Sequence, residues 1–222
     1  MAFPLTHLCV AYRILEKLPS PTPELFMLGA IAPDAVHFRE EFQGATQSNI
    51  GPAKKITHLC PVSEEKWGYV TDNEGWIQCV KDFLHTNTNS VIAAGYAVHV
   101  LTDIFNNMGV WHKFVTNHPE EAAKGYASNY YQDLRNIDLK IYNDVFKDSN
   151  VEKLLQNAIP QSIPGLISSE ELHAIQHNLL YTAYASVPEK IDTITYFFIN
   201  YEQTIDFIND AADFCVRIIL SN

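Results

Sequence analysis

The sequence predicts an all-α domain. Three observations carry that expectation. Apolar residues recur at three- and four-residue intervals, no segment sustains the two-residue alternation of a strand, and helix-stop residues punctuate the pattern. The chain has 222 residues, 47% of them hydrophobic and 18% charged. That composition supports one large core over residues 1–222 and excludes a disordered chain.

The elements follow in order. Leu8, Ala11, Ile14, Leu15 and Leu18 mark a first helix, which Pro19 ends. Pro21 and Pro23 lead into a short segment, Glu24–Ile31, stopped by Ala32-Pro33-Asp34. Residues 41–57 are polar and Gly-containing and read as a loop, as do Pro61–Asn73 despite Trp67 and Tyr69. Helical patterns resume over Glu74–Leu84 and Ser90–Phe105. A long one spans Pro119–Phe146, with Pro in its first turn. The Pro- and Gly-containing stretch Ile159–Ser168 separates it from Ser169–Ala185, where Ser169 with Glu170 and Glu171 resembles an N-terminal cap. A last helix covers Pro188–Leu220. Its segment Ile194–Ile199 is rich in β-formers, but the flanks continue a helical pattern. The expected architecture is a multi-helix bundle with irregular loops converging at one end.

Charge narrows the function. There are 15 basic and 26 acidic residues, a net charge of −11 with His neutral. No Lys/Arg run exists to track a phosphate backbone, so no basic nucleic-acid-binding surface is expected. A phosphate-bearing substrate would need bound metal ions to supply local positive charge. The four Cys (Cys9, Cys60, Cys79, Cys215) form no C-x-x-C pair, neither a disulfide framework nor a zinc ribbon. Thr-His-Leu-Cys occurs twice, at Thr6–Cys9 and Thr57–Cys60, and the Cys of each copy is read as packing. No signal peptide and no run of 18 apolar residues is visible, so the expectation is a cytoplasmic protein without a transmembrane segment.

The chemistry concentrates in a few places. In Gly95-Tyr96-Ala97-Val98-His99-Val100-Leu101-Thr102-Asp103, His99 and Asp103 are four residues apart and share one helix face, about 5–6 Å apart at Cβ. An imidazole and a carboxylate so placed can share a metal ion, or the carboxylate can bridge two. The bland reading is a core His bonded to a carboxylate one turn away. Gly95 stands one turn before His99, where a close helix approach would be useful. In Gly29-Ala30-Ile31-Ala32-Pro33-Asp34 an Asp is held at a stiff, half-buried corner, a costly place for a carboxylate without a partner or metal. Asp34 can alternatively cap a turn through Ala35–Glu40, and His37 follows three residues on. His7 and His58 each lie in Thr-His-Leu among apolar neighbours, where a lone His is commonly a core residue. Together, His7, Asp34, His58, His99 and Asp103 make five N/O groups suited to a zinc-type hydrolytic centre. His173 and His177, four apart, lack a carboxylate-rich partner segment and read as a solvated helix face.

These motifs, in this order, resemble the zinc-dependent phospholipase C family, a fold class that includes fungal single-strand-specific nucleases. The resemblance covers residues 4–138 and is most specific in Gly29–Asp34 and Gly95–Asp103. It implies an all-α fold of the zinc-dependent phospholipase C type and hydrolysis of phosphoester bonds by metal-activated water. It also implies that Asp34, His58 and His99 bind one zinc ion, that Asp103 bridges to a second, and that His7 binds the second. By the same resemblance Asp34 is the catalytic group that orients or deprotonates the attacking water. The N-terminal amine, a ligand in secreted members, here belongs to an ordinary Met1-Ala2 start. Third-site ligands depart from the pattern, because Asn106, Asn107 and His112, then Asn129 and Asp133, stand where His and a H-x-x-x-(D/E) pair are expected. Asp133 and, with it, His112 are the candidate ligands there, and Tyr130, Tyr131, Asp133 and Asp138 are alternatively groups that face the substrate or support the ligands. A phosphate ester is the implied substrate. The other readings are a non-catalytic metal-binding or interaction module and a metal hydrolase acting on a non-phosphate substrate.

Overall fold

The computed structural model describes residues 3–42, 47–61, 69–187 and 194–221, with the backbone alone over 47–50. Among these residues every regular element is helical, apart from one isolated antiparallel bridge between Ile163 and Ile167. No helix among them is long and apolar enough to cross a membrane.

Helix α1 (Pro4–Lys17) starts on a proline, which gives up no helical hydrogen bond there, and buries Leu5, Leu8, Ala11, Ile14 and Leu15. Helix α2 (Pro23–Gly29) also opens on proline and runs into a 3-10 turn over Ala32–Phe38. Helix α3 (Gln47–Thr57) follows, then α4 (Asn73–Thr86), capped by the Asp72 side chain accepting from the Gly75 N–H at 2.8 Å. Helix α5 (Val91–Asn106), capped by Ser90, is buried on nearly every face from Ile92 to Ile104. A helix apolar all round must be central. Here α1, α2, α4 and α11 (Tyr201–Leu220) pack around it.

The remaining helices are α6 (His112–Asn117), α7 (Pro119–Ala123), α8 (Asn129–Ile141), α9 (Asn150–Asn157) and α10 (Ser169–His177). Three sequence expectations are corrected here. Residues 47–57 are helical, although polar and interrupted by Pro52, because the last turn buries Lys54 and Thr57 against the 3-10 turn that carries Asp34. Tertiary burial outweighs weak propensity there. The single helix expected over Pro119–Phe146 is broken at Gly125, whose φ is +56°, and restarts with Ser128 as the cap of α8. It then ends in a π-helical turn over Tyr142–Phe146. Helix α10 is capped by Ser168 rather than Ser169, in a reciprocal capping box with Glu171, and closes in a π turn over Asn178–Thr182.

The last expected helix is also shorter than its pattern. Residues 194–200 are irregular, and α11 starts after Asn200, in a capping box with Gln203. Residues 188–193 and Trp67, part of those expectations, lie outside the described residues, as does Met1-Ala2.

Candidate metal centre

Four segments deliver the centre. His7 comes from α1, Asp34 from the 3-10 turn, His58 from the end of α3, and His99 and Asp103 from α5. The deepest joint is between α2 and α5. A Cβ on Gly95 would lie 2.0 Å from the Phe26 carbonyl oxygen, and one on Gly29 would lie 2.2 Å from that of Ile92. Both positions therefore require glycine. The backbones touch, and the Ala30 carbonyl arrives within 2.7 Å of His99 Nδ1.

That contact orients His99. A carbonyl accepts and cannot donate, so Nδ1 carries a proton and Nε2 is turned to the centre. His58 is held in the same way: its Nδ1 lies 3.0 Å from the Lys54 carbonyl and 3.1 Å from Thr57 Oγ1. The Trp76 indole donates to the His58 carbonyl at 2.7 Å, and the Tyr96 hydroxyl donates to that of Thr57. Burial, with the Lys54 charge, holds the His58 pKa down at about 3 despite the Asp34 hydrogen bond, so the ring is neutral at physiological pH.

The two Nε2 atoms thus face each other across 3.3 Å. Two carboxylates close in on them. Asp34 Oδ1 is 3.4 Å from His58 Nε2, and its Oδ2 is 3.9 Å from His99 Nε2. Asp103 Oδ2 is 3.7 Å from His58 Nε2 and 3.9 Å from His99 Nε2, while its Oδ1 is 3.6 Å from His7 Nε2. Beyond the Asp34–His58 contact, these separations are too long for hydrogen bonds. They suit ligands that share a cation.

His7 completes the group. Its ring stacks on His99 with centroids 3.7 Å apart and planes 9° from parallel. Both of its buried nitrogens lack a hydrogen-bond partner among the described residues. Burial, then the neighbouring His99, lowers its pKa well below the usual value, so it too is neutral. Burial raises the Asp103 pKa, whereas a bound cation would hold that carboxylate ionised. For Asp34 burial works upward, but the Lys54 charge and the hydrogen bond with His58 overcome it and hold the carboxyl well below the usual range. His7, His99 and Asp103 form one group that could hold a metal ion, and Asp34, His58 and His99 form another.

All five residues named from the motifs therefore meet. Asp133 does not join them. It is fully buried on α8, and its carboxylate accepts the backbone N–H groups of Phe197, Phe198 and Ile199 at 2.7–3.2 Å. Its carboxylate is instead engaged by the irregular segment before α11, away from the two candidate ligand groups. His112 is exposed, and the Asn107 amide donates to Val70 and Asn73, so neither group serves the centre. Asp138 accepts from the Tyr184 hydroxyl, and His173 and His177 lie exposed on α10 with rings 6.1 Å apart. Cys9 is buried and Cys60 half-buried, and neither belongs to a candidate ligand group.

The chain matches no protein-family model, no curated protein and no solved structure. The chemistry of the centre follows from its own side chains.

Sequence reasoning missed one residue of the centre. Lys54 is buried, with its Nζ 2.8 Å from Asp34 Oδ1. It precedes His58 by four residues, a helical spacing that has meaning once residues 47–57 are helix. Asp34, His37 and Lys54 line a cavity of about 180 Å³ together with Phe3, Phe38, Tyr126, Tyr131 and Leu179. His37 Nε2 lies 3.7 Å from Asp34 Oδ1.

Proposed function

We propose that this protein is a zinc-dependent hydrolase of phosphoric esters with a two-ion centre, as its resemblance to zinc-dependent phospholipases C implies. One observation carries the reading. Imidazole lone pairs and two carboxylates converge in a buried centre that meets a cavity at Asp34. Zinc bound to N and O at about 2.0–2.1 Å sets neighbouring ligand atoms about 3.3 Å apart, close to the separations here.

Asp34, His58 and His99 would hold one ion, and His7 with Asp103 the other. The two oxygens of Asp103 face different imidazoles, as a bridging carboxylate requires. Bound zinc supplies Lewis acidity and a water that ionises near neutral pH. The protein does the rest. His99 is fixed by the Ala30 carbonyl and His58 by that of Lys54, which restrains ring rotation. Of the five residues, Asp34 lines the cavity, so its ionised carboxylate is placed to orient an attacking water or accept its proton. Phe3, Phe38 and Leu179 offer apolar wall to the organic part of an ester.

The test uses protein purified without a metal-affinity step. Zinc should be taken up at one to about two ions per chain, the occupancy these ligand groups allow. The loaded protein should hydrolyse bis(p-nitrophenyl) phosphate slowly, and Asp34→Ala should abolish the reaction. Confirmed zinc with no turnover of phosphodiesters, phosphomonoesters or phospholipids would overturn the hydrolase and leave a metal-binding module. Turnover of a carboxylic ester or amide in place of these would point to a non-phosphate substrate.

A further inference from the structure

Lys54 is an expensive residue where it stands. An ammonium buried to a few per cent exposure loses most of its hydration, and a neutral donor would satisfy the Asp34 oxygen at lower cost. What a neutral donor would lack is charge. Lys54 brings a positive charge to within 2.8 Å of Asp34 Oδ1, in a chain of net charge −11. Its ammonium is not sealed behind Asp34. It shares the lining of the cavity with Asp34, His37, Tyr126 and Tyr131. The geometry is also rigid, because the Lys54 carbonyl anchors His58 Nδ1 at 3.0 Å. One residue therefore ties a candidate metal ligand to the cavity's positive charge.

We propose that Lys54 is the anion anchor of this site. Its ammonium takes a non-bridging oxygen of a phosphoryl group seated in the cavity beside Asp34. Lys54 would then hold the anion together with any metal ion bound by the candidate ligands. Asp34 is held by Lys54 at Oδ1 and faces His99 with Oδ2. The inference takes its substrate class from the phosphoesterase reading, but anion binding does not depend on turnover.

The probe is inorganic phosphate, titrated into the zinc-loaded full chain. Calorimetry compares wild type with Lys54→Arg and Lys54→Met at matched zinc content. Lys54→Met should weaken phosphate binding about 10- to 100-fold, the scale of one charge-assisted hydrogen bond, while Lys54→Arg should stay within about threefold. A second measurement covers failure of the Met variant to fold. The Lys54 side-chain nitrogen resonance, assigned by its loss in Lys54→Arg, should shift as phosphate saturates the wild type. Equal phosphate affinity in wild type and Lys54→Met overturns the anchor, and so does an unmoved resonance at saturation. Phosphate held through Lys54 without turnover of any ester would leave the anchor standing and remove the hydrolase. Turnover with phosphate binding indifferent to Lys54 would do the reverse.

Discussion

Asp103 and Asp133 are both buried carboxylates on helices, and their neighbours give them different work. Asp103 faces imidazole nitrogens from both sides, at 3.6–3.9 Å, with burial pushing its pKa up. Asp133 faces three amide N–H groups, each able to donate. The first arrangement calls for a cation and the second does not. Asp103→Asn should therefore strip more zinc than His7→Ala, since in the proposed two-ion centre the carboxylate would serve both ions and His7 one. Equal residual zinc by elemental analysis would argue against bridging. Asp133→Ala should leave zinc content unchanged while lowering the unfolding free energy by about 2 kcal/mol or more, because amide donors lose their acceptor. Zinc loss in a folded Asp133→Ala protein would restore it as a ligand.

At the scale of elements, the centre depends on how closely α2 approaches α5. Gly29 and Gly95 let the two backbones touch, and this brings the Ala30 carbonyl to His99. Gly95→Ala places a methyl about 2 Å from a backbone oxygen, where no flexible side chain can yield. The helices must part, at a cost of about 1–3 kcal/mol. His99 should lose its orienting bond as well, so zinc affinity and melting temperature should fall together. A Gly95→Ala protein that melts like wild type and holds zinc equally well would show that the crossing can relax. Gly95 was legible as a close-approach position one turn before His99. Its partner across the interface was not, because pairing between residues 29 and 95 is decided by packing.

Across the whole molecule, the candidate ligands span residues 7 to 103 and come from four separate segments. A metal bound to all of them ties together the first helix, two irregular junctions and the central helix. Binding to the folded state and not to the unfolded chain stabilises by linkage, about 2.7 kcal/mol at a free metal concentration 100 times Kd. Thermal unfolding should shift upward with added zinc and downward with chelator, with the midpoint tracking free zinc. An unchanged midpoint across that range would mean that zinc does not bind the folded protein. The centre also interrupts an otherwise apolar core around α5, where neutral imidazoles and carboxylates without a cation would be poorly satisfied.

By itself, the sequence determined the helical class and the five residues that meet. Periodicity carries the first, since apolar residues at three- and four-residue spacing line one face of a helix. The candidate ligands were legible because polar residues in apolar settings, spaced four apart or set at a Pro-Asp corner, need a reason to be there. Tertiary structure alone decided the rest. Residues 47–57 gain their helix, and with it Lys54 its place, from burial against the turn that carries Asp34. Residues 194–200 stay irregular because Asp133, more than sixty positions away, accepts their amides. A local pattern holds the propensity of a segment, but a hydrogen bond or a buried charge pair is specified by both partners, and they meet only when the chain has folded.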